Sequence, residues 1–106
     1  MDTYQYDGLA ALADPTRRTI FERLADGPHA VGELADGLPV SRPAVSQHLK
    51  VLKNAGLVVD RAVGNRRVYS LDPDGLDTLR TYLERFWSQA LAGFQEAAER
   101  QAQESR

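Results

Sequence analysis

Cysteine is absent from the 106-residue sequence, and histidine occurs only twice, at His29 and His48. The absence of cysteine excludes disulfide bonds, thiolate metal sites, thiol redox sensing and cysteine nucleophiles. Two histidines so far apart in the sequence do not form a metal-binding motif. We therefore expect no metal site and no cofactor, and a weak site built from carboxylates is the one alternative that stays open.

Long hydrophobic runs are also absent. No stretch approaches the roughly 20 consecutive apolar residues that a membrane-spanning helix needs, and residues 1–6 lack the basic-then-apolar pattern of a secretion signal. We therefore expect a cytoplasmic protein with no membrane partner. The length and the 42% hydrophobic and 26% charged residues indicate a single globular domain over 1–106.

Basic residues are not in excess overall, since the formal net charge is -2, but they are concentrated in one segment. Residues 41–69 contain six basic residues and one acidic residue, Asp60. A basic segment between acidic flanks is typical of a protein that presents one surface to DNA. The alternative is an ordinary solvated surface, and charge alone does not decide between the two.

Capping signals and apolar spacing predict three helices before residue 40. The first is short and covers residues 6–12. Asp14 followed by Pro15 is an N-cap with a first-turn proline, which starts the second helix. A third, short helix covers 31–35, and the turn after it leads into the next element.

A fourth helix, over about 41–55, has the clearest start signal, because Ser41 is a good N-cap and proline is tolerated in the first turn. Three apolar residues at helical spacing form its buried stripe: Val45, Leu49 and Leu52. At about 100° per residue, the residues on the other side face outward. They are Pro43, Ser46, Gln47 and Lys50, with His48 at the border of the stripe.

Two runs of β-branched or alternating residues, 57–63 and 66–71, predict a β-hairpin wing over about 57–71. The pair Gly64-Asn65 between them is typical of a tight turn. Short helix, turn, polar-faced helix and basic hairpin follow each other in the order of a winged helix-turn-helix domain. We therefore expect a mainly α fold with a β-hairpin wing and about five helices.

The polar face of the fourth helix has side chains suited to reading DNA. Glutamine can form paired hydrogen bonds with adenine, serine can bond several base edges, and lysine or arginine can bind guanine or phosphate. Base contacts concentrate near the start of the recognition helix in this motif, which is where Arg42 lies. The predicted DNA-binding residues are Arg42, Pro43, Ser46, Gln47, His48, Lys50, Arg66 and Arg67.

Three members of this set have a simpler alternative. A histidine at the border of a buried stripe, such as His48, is often a structural hydrogen-bonding residue. The hairpin arginines, Arg66 and Arg67, could be ordinary surface charges, because edge strands favour charge. Arg66 lies beside the Gly-Asn tip and is the preferred wing contact.

The sequence resembles the ArsR type of regulator over nearly its whole length. Residues 11–18, ALADPTRR, look like the entry motif of that family. Leu34-Ala35, together with 41–52, SRPAVSQHLKVL, resembles its DNA-binding helix pair, and 56–58, GLV, continues the match. The resemblance implies a dimeric transcriptional repressor, with Ser46, Gln47 and His48 near bases or phosphates and the wing around Arg66 near the minor groove.

The metal ligands of many ArsR-type relatives are absent from this sequence. Where such relatives have cysteines, residues 33–37 read ELADG, and no histidine follows His48 to complete a last-helix site at Asp77. The resemblance is therefore to a metal-independent branch. An unknown small-molecule effector remains a possible partner.

The last predicted helix, over about 74–98, has more apolar residues than one core-facing stripe requires. We expect the surplus to form a homodimer interface with the first helix, because such a patch would otherwise be exposed. The predicted interface residues are Leu9, Leu79, Leu83, Phe86, Trp87, Leu91 and Phe94. Either Phe86 or Trp87 alone could instead pack inside its own subunit. The tail from Glu96 is polar and is expected to fray.

These predictions favour a sequence-specific, double-stranded DNA-binding regulator, a repressor that binds an inverted-repeat operator as a homodimer. Catalysis is a poor alternative, because Ser46 and His48 point about 200° apart on one helix and no acidic residue orients them. We therefore expect no enzyme activity. A winged-helix module that binds only protein is the alternative that stays open.

Overall fold

The computed structural model describes residues 8–105. Residues 8–11 are helical and form α1, so the start of the predicted first helix lies outside the described part of the chain. Helix α2, Pro15–Ala25, begins as predicted, because the Asp14 carboxylate accepts a hydrogen bond from the backbone N–H of Arg17 at 2.9 Å. The Arg17 side chain then joins the two helices by donating to the carbonyl of Ala11 at 2.7 Å.

Helices α3, Val31–Asp36, and α4, Arg42–Asn54, form the helix-turn-helix pair. Ser41 is the N-cap of α4, and its hydroxyl accepts a hydrogen bond from the backbone N–H of Ala44 at 3.3 Å. The predicted buried stripe is confirmed, since three side chains of α4 have no exposed area: Val45, Leu49 and Leu52. The stripe packs against α2 and α3, which turns the opposite face of α4 outward.

Three antiparallel strands form one sheet in the order β1-β3-β2. Strands β2, Val58–Val63, and β3, Arg66–Leu71, are the predicted hairpin, and Gly64 adopts a φ of 63° in the turn between them. Strand β1, His29–Ala30, pairs with β3 and was not predicted. Two residues are too few to produce the alternating pattern that reveals a strand.

Helix α5, Pro73–Glu104, is longer than predicted. The expectation that the chain frays from Glu96 is wrong, because the helix continues for eight more residues after that position. Its tail consists of glutamate, glutamine, alanine and arginine, which all have high intrinsic helix propensity. No helix between residues 8 and 105 is both long enough and apolar enough to span a membrane.

The core lies where α2, α3, α4 and β2 meet, and only the first part of α5 reaches it. Leu79 is 9% exposed and belongs to this core. Every residue from 83 to 105 is exposed, so most of α5 projects beyond the domain.

The start of α5 is fixed by a close approach at Gly75. A Cβ atom at this position would lie 1.7 Å from the carbonyl oxygen of Gly56, which follows α4. No side chain fits in that space, so glycine allows α5 to pack against the end of the recognition helix.

We expect Gly75→Ala to destabilise the fold by about 1–3 kcal/mol, the usual cost of overpacking, because the backbone must shift to admit the methyl group. Urea unfolding measures the change. Gly93→Ala is a matched control, since a Cβ there meets no atom within 4 Å. Equal stability of the Gly75→Ala and Gly93→Ala variants would contradict this account of the packing.

Candidate DNA-binding surface

The outward face of α4 presents most of the predicted recognition residues. Five of the predicted DNA-binding residues are exposed on this helix: Arg42, Pro43, Ser46, Gln47 and Lys50. They lie opposite the buried stripe, so a groove could admit this face without disturbing the core. The Arg42 guanidinium also lies against α3, because a Cβ added at Gly32 would be 3.1 Å from its Nη2 atom.

His48 lies apart from this exposed set because its side chain is half-buried. It is close enough to the start of α2 to affect Asp14. The pKa of the Asp14 carboxyl is lowered, chiefly by the hydrogen bond from the Arg17 backbone and to a lesser extent by the nearby charges of Arg17 and His48. A DNA contact by His48 therefore stays a prediction beside the structural alternative.

The wing contact Arg66 is exposed and has an acidic partner within the domain. Its Nη2 atom lies 2.8 Å from Oε1 of Glu33 on α3. Glu33 also accepts a hydrogen bond from the backbone N–H of Ala30 at 3.0 Å, and its Oε2 lies 3.5 Å from Nδ1 of His29. The pKa of Glu33 is lowered, first by the Ala30 hydrogen bond and next by that from His29. The carboxylate is thus charged near neutral pH and forms an exposed ion pair between α3 and the wing.

The second wing arginine, Arg67, has an acidic partner on the neighbouring strand. Its Nε atom lies 3.2 Å from Oδ2 of Asp60, whose Oδ1 atom lies 2.6 Å from Nζ of Lys53. The pKa of Asp60 is lowered, chiefly by the hydrogen bond from Lys53. Sequence reasoning missed both acidic partners of the wing. Asp60 had a detectable signal, because strand alternation places residues 60 and 67 on the same face of the hairpin.

The projecting part of α5 exposes a continuous apolar face. Its members are Leu83, Phe86, Trp87, Leu91 and Phe94, which are 43–71% exposed. The rings of Tyr82 and Phe86 meet edge to face, with centroids 4.9 Å apart. Leu9 on α1 is 36% exposed, whereas the predicted interface residue Leu79 is buried in the core and adds little to this face. An apolar patch of this kind marks an interaction surface.

Metal ligands do not cluster in the part of the chain that the structure describes. Between residues 8 and 105, no group of three histidine, cysteine, aspartate or glutamate side chains is arranged to hold a metal ion. The histidine nearest to a carboxylate, His29, faces Glu33, which already bonds Ala30 and Arg66.

Known proteins resemble this chain in both sequence and fold. A helix-turn-helix domain family model matches residues 12–61. The HTH-type transcriptional regulator Rv2034 of Mycobacterium tuberculosis is 68% identical over 96 residues, which cover 89% of this chain and 90% of that protein.

Two solved structures extend the likeness to the whole fold. An ArsR-like transcriptional regulator from Rhodococcus sp. RHA1 superposes with a TM-score of 0.74 at 33% identity, covering 91% of this chain and 93% of that one. The homodimeric winged helix-turn-helix DNA-binding domain of Mb0332 from Mycobacterium bovis superposes with a TM-score of 0.66 at 28% identity, covering 86% and 80%.

Proposed function

Because the chain belongs to the ArsR-type family of winged helix-turn-helix transcriptional regulators, we propose that it represses transcription by binding an inverted-repeat operator as a homodimer. The chain is a DNA-binding regulator and not an enzyme. The observation that supports operator binding is the outward face of α4. This face presents polar and basic side chains on the side opposite a fully buried stripe. Such a regulator would act in the cytoplasm, where bacterial DNA lies.

In the proposed complex, α4 enters the major groove with its N-terminal turns leading. Gln47 and Ser46 are assigned to base edges, because glutamine and serine can bond bases and both side chains are exposed. Lys50 is assigned to the phosphate backbone, and Arg42 to a base or phosphate near the helix start. The wing then lies beside the adjacent minor groove, where Arg66 exchanges Glu33 for the DNA backbone.

The proposed dimer is formed by the apolar face of α5 together with α1. Two-fold symmetry would bring the face of one subunit onto the same face of its partner and bury aromatic side chains that are exposed in the monomer. The solved neighbour from Mycobacterium bovis is homodimeric, which supports a homodimer but does not identify the helices that form it. Two recognition helices one DNA turn apart, roughly 34 Å, would then read an inverted repeat.

A mobility-shift assay on DNA selected by the protein from a random pool tests the proposal. Binding should be tighter to the selected duplex than to random duplex and should weaken steeply with salt, because each phosphate contact releases counterions. A protein that shows no salt-dependent binding to any duplex would instead be the protein-interaction module that the sequence left open.

We also propose that DNA binding is independent of metal and of thiol oxidation. The chain has no cysteine, and His29 and His48 are its only histidines. We expect the operator affinity to be the same with a chelator, with added zinc or nickel and with an oxidant. A stoichiometric metal-binding isotherm coupled to release of the operator would contradict this proposal and would point to a carboxylate site. If the operator affinity is independent of metal and oxidant, the signal that releases the operator would be a small organic effector, or there would be no such signal.

A further inference from the structure

Asp60 is the one acidic residue in the basic segment 41–69, and the structure places it at the junction of the recognition helix and the wing. It lies on β2 opposite Tyr69 and shares the core-facing side of the hairpin with the buried Val58. Its side chain is only 9% exposed. A charged group so well covered is retained at a cost unless it is paired.

The two oxygen atoms of this carboxylate bind cations from two different elements. Oδ1 is 2.6 Å from Nζ of Lys53 in the last turn of α4, and Oδ2 is 3.2 Å from Nε of Arg67 on β3. Because the Asp60 side of each pair is covered, solvent screens these two ion pairs less than it screens pairs exposed on both sides. Asp60 therefore links the end of the recognition helix to the wing.

We propose that Asp60 is a positioning residue for DNA recognition, whose carboxylate fixes the recognition helix and the wing relative to each other. The inference rests on the proposed function, because it assumes that α4 reads bases while the wing binds the flanking backbone. Base readout requires side chains held within hydrogen-bond distance of particular atoms, whereas phosphate contacts tolerate many registers. Loosening the link should therefore weaken operator binding more than binding to random DNA.

The cations that Asp60 holds remain available to DNA. A lysine ammonium has three N–H donors and a guanidinium has five, so one contact with Asp60 leaves donors for phosphate on both Lys53 and Arg67. Both side chains are more than half exposed. Asp60 thus orients these cations without removing them from the DNA-binding surface.

The first test is Asp60→Asn, assayed on the selected operator and on random duplex. We expect the ratio of the two affinities to fall about tenfold, the lower end of the loss when a residue that orients a site's binding groups is removed. Affinity for random DNA should stay equal or rise, because one negative charge is lost beside two cations that remain available to phosphate.

Asp77→Asn is the matched control for charge. Asp77 is exposed, and its ion pair is with Arg80 on the same helix, α5. The substitution removes the same charge but leaves the link between α4 and β3 intact. We expect the ratio of operator to random affinity to be unchanged in this variant.

The second test compares Lys53→Gln with Lys50→Gln, and it does not depend on burying a new group, since both lysines are exposed. The two variants lose the same charge from the same helix. Lys50→Gln removes a lysine that is assigned to phosphate, so it should lower both affinities equally and leave their ratio unchanged. Lys53→Gln breaks the helix side of the link, and we expect it to lower the ratio as well as both affinities.

Circular dichroism shows whether the Asp60→Asn variant folds. If this variant does not fold, the comparison of the two lysine variants decides whether Asp60 has a positioning role. A ratio unchanged in Lys53→Gln and in a folded Asp60→Asn variant would overturn the positioning role while the operator preference of the wild-type protein persists. Absence of any operator preference in the wild-type protein is a different result, which would overturn the proposed function and this inference with it.

Discussion

Replacing Phe86 and Leu91 with serine is expected to convert the protein from a dimer to a monomer at micromolar concentration and to abolish tight operator binding. The two side chains are 52% and 43% exposed, so about half of each remains to be buried by a partner. That burial contributes about 1 kcal/mol per side chain, and four such side chains are buried in the dimer because each subunit contributes two. The dimer should therefore weaken by about 4 kcal/mol, or roughly a thousandfold in dissociation constant.

Sedimentation equilibrium measures the mass, and a mobility shift measures binding to the operator. Gln101→Ser with Gln103→Ser is the control, since both residues are exposed and polar on the same helix beyond the apolar face. The control should remain a dimer. A Phe86→Ser, Leu91→Ser variant with wild-type mass and operator affinity would show that this face of α5 does not form the dimer.

Gln47→Ala is expected to cost about 1–3 kcal/mol of operator binding, the value of one good bidentate contact with a base. The loss should be confined to the operator, and the preference at one base position should relax. Random DNA should bind as before, because Gln47 is uncharged and is assigned no phosphate.

Arg66→Ala provides the contrast for this prediction. Arg66 is assigned to the backbone, so its loss should weaken binding to every duplex and reduce the salt slope by about 1. Its effect is moderated by the ion pair with Glu33, which must open before Arg66 can reach DNA. Equal loss on operator and random DNA in the Gln47→Ala variant would contradict the assignment of Gln47 to base readout.

The recognition helix could be predicted from sequence because its signals are local. Ser41 caps the first turn, and Val45 and Leu49 recur at helical spacing, so both the start of α4 and its buried side follow from nearby residues. The hairpin was predictable for the same reason, since Gly64-Asn65 separates two runs of strand-forming residues. Which residues of this surface contact DNA stays a prediction.

The parts that escaped prediction depend on contacts between distant residues. Glu33 meets Arg66 across 33 positions, and β1 exists only because β3 lies beside it. Leu79 belongs to the apolar pattern of α5, but only the fold shows that the helix leaves the core soon after this residue. Arg17 and Arg23 likewise donate hydrogen bonds to the carbonyls of Ala11 and Leu34, which belong to other helices.

Sequencing the DNA that the wild-type protein selects from a random duplex pool tests the central claim most directly. A homodimer that reads the major groove with α4 should enrich an inverted repeat. The centres of its half-sites should be separated by one helical turn of DNA, about 10–10.5 base pairs, or by a multiple of that distance. Half-sites without two-fold symmetry, or a pool with no enriched sequence, would contradict the account of a dimeric, sequence-specific regulator.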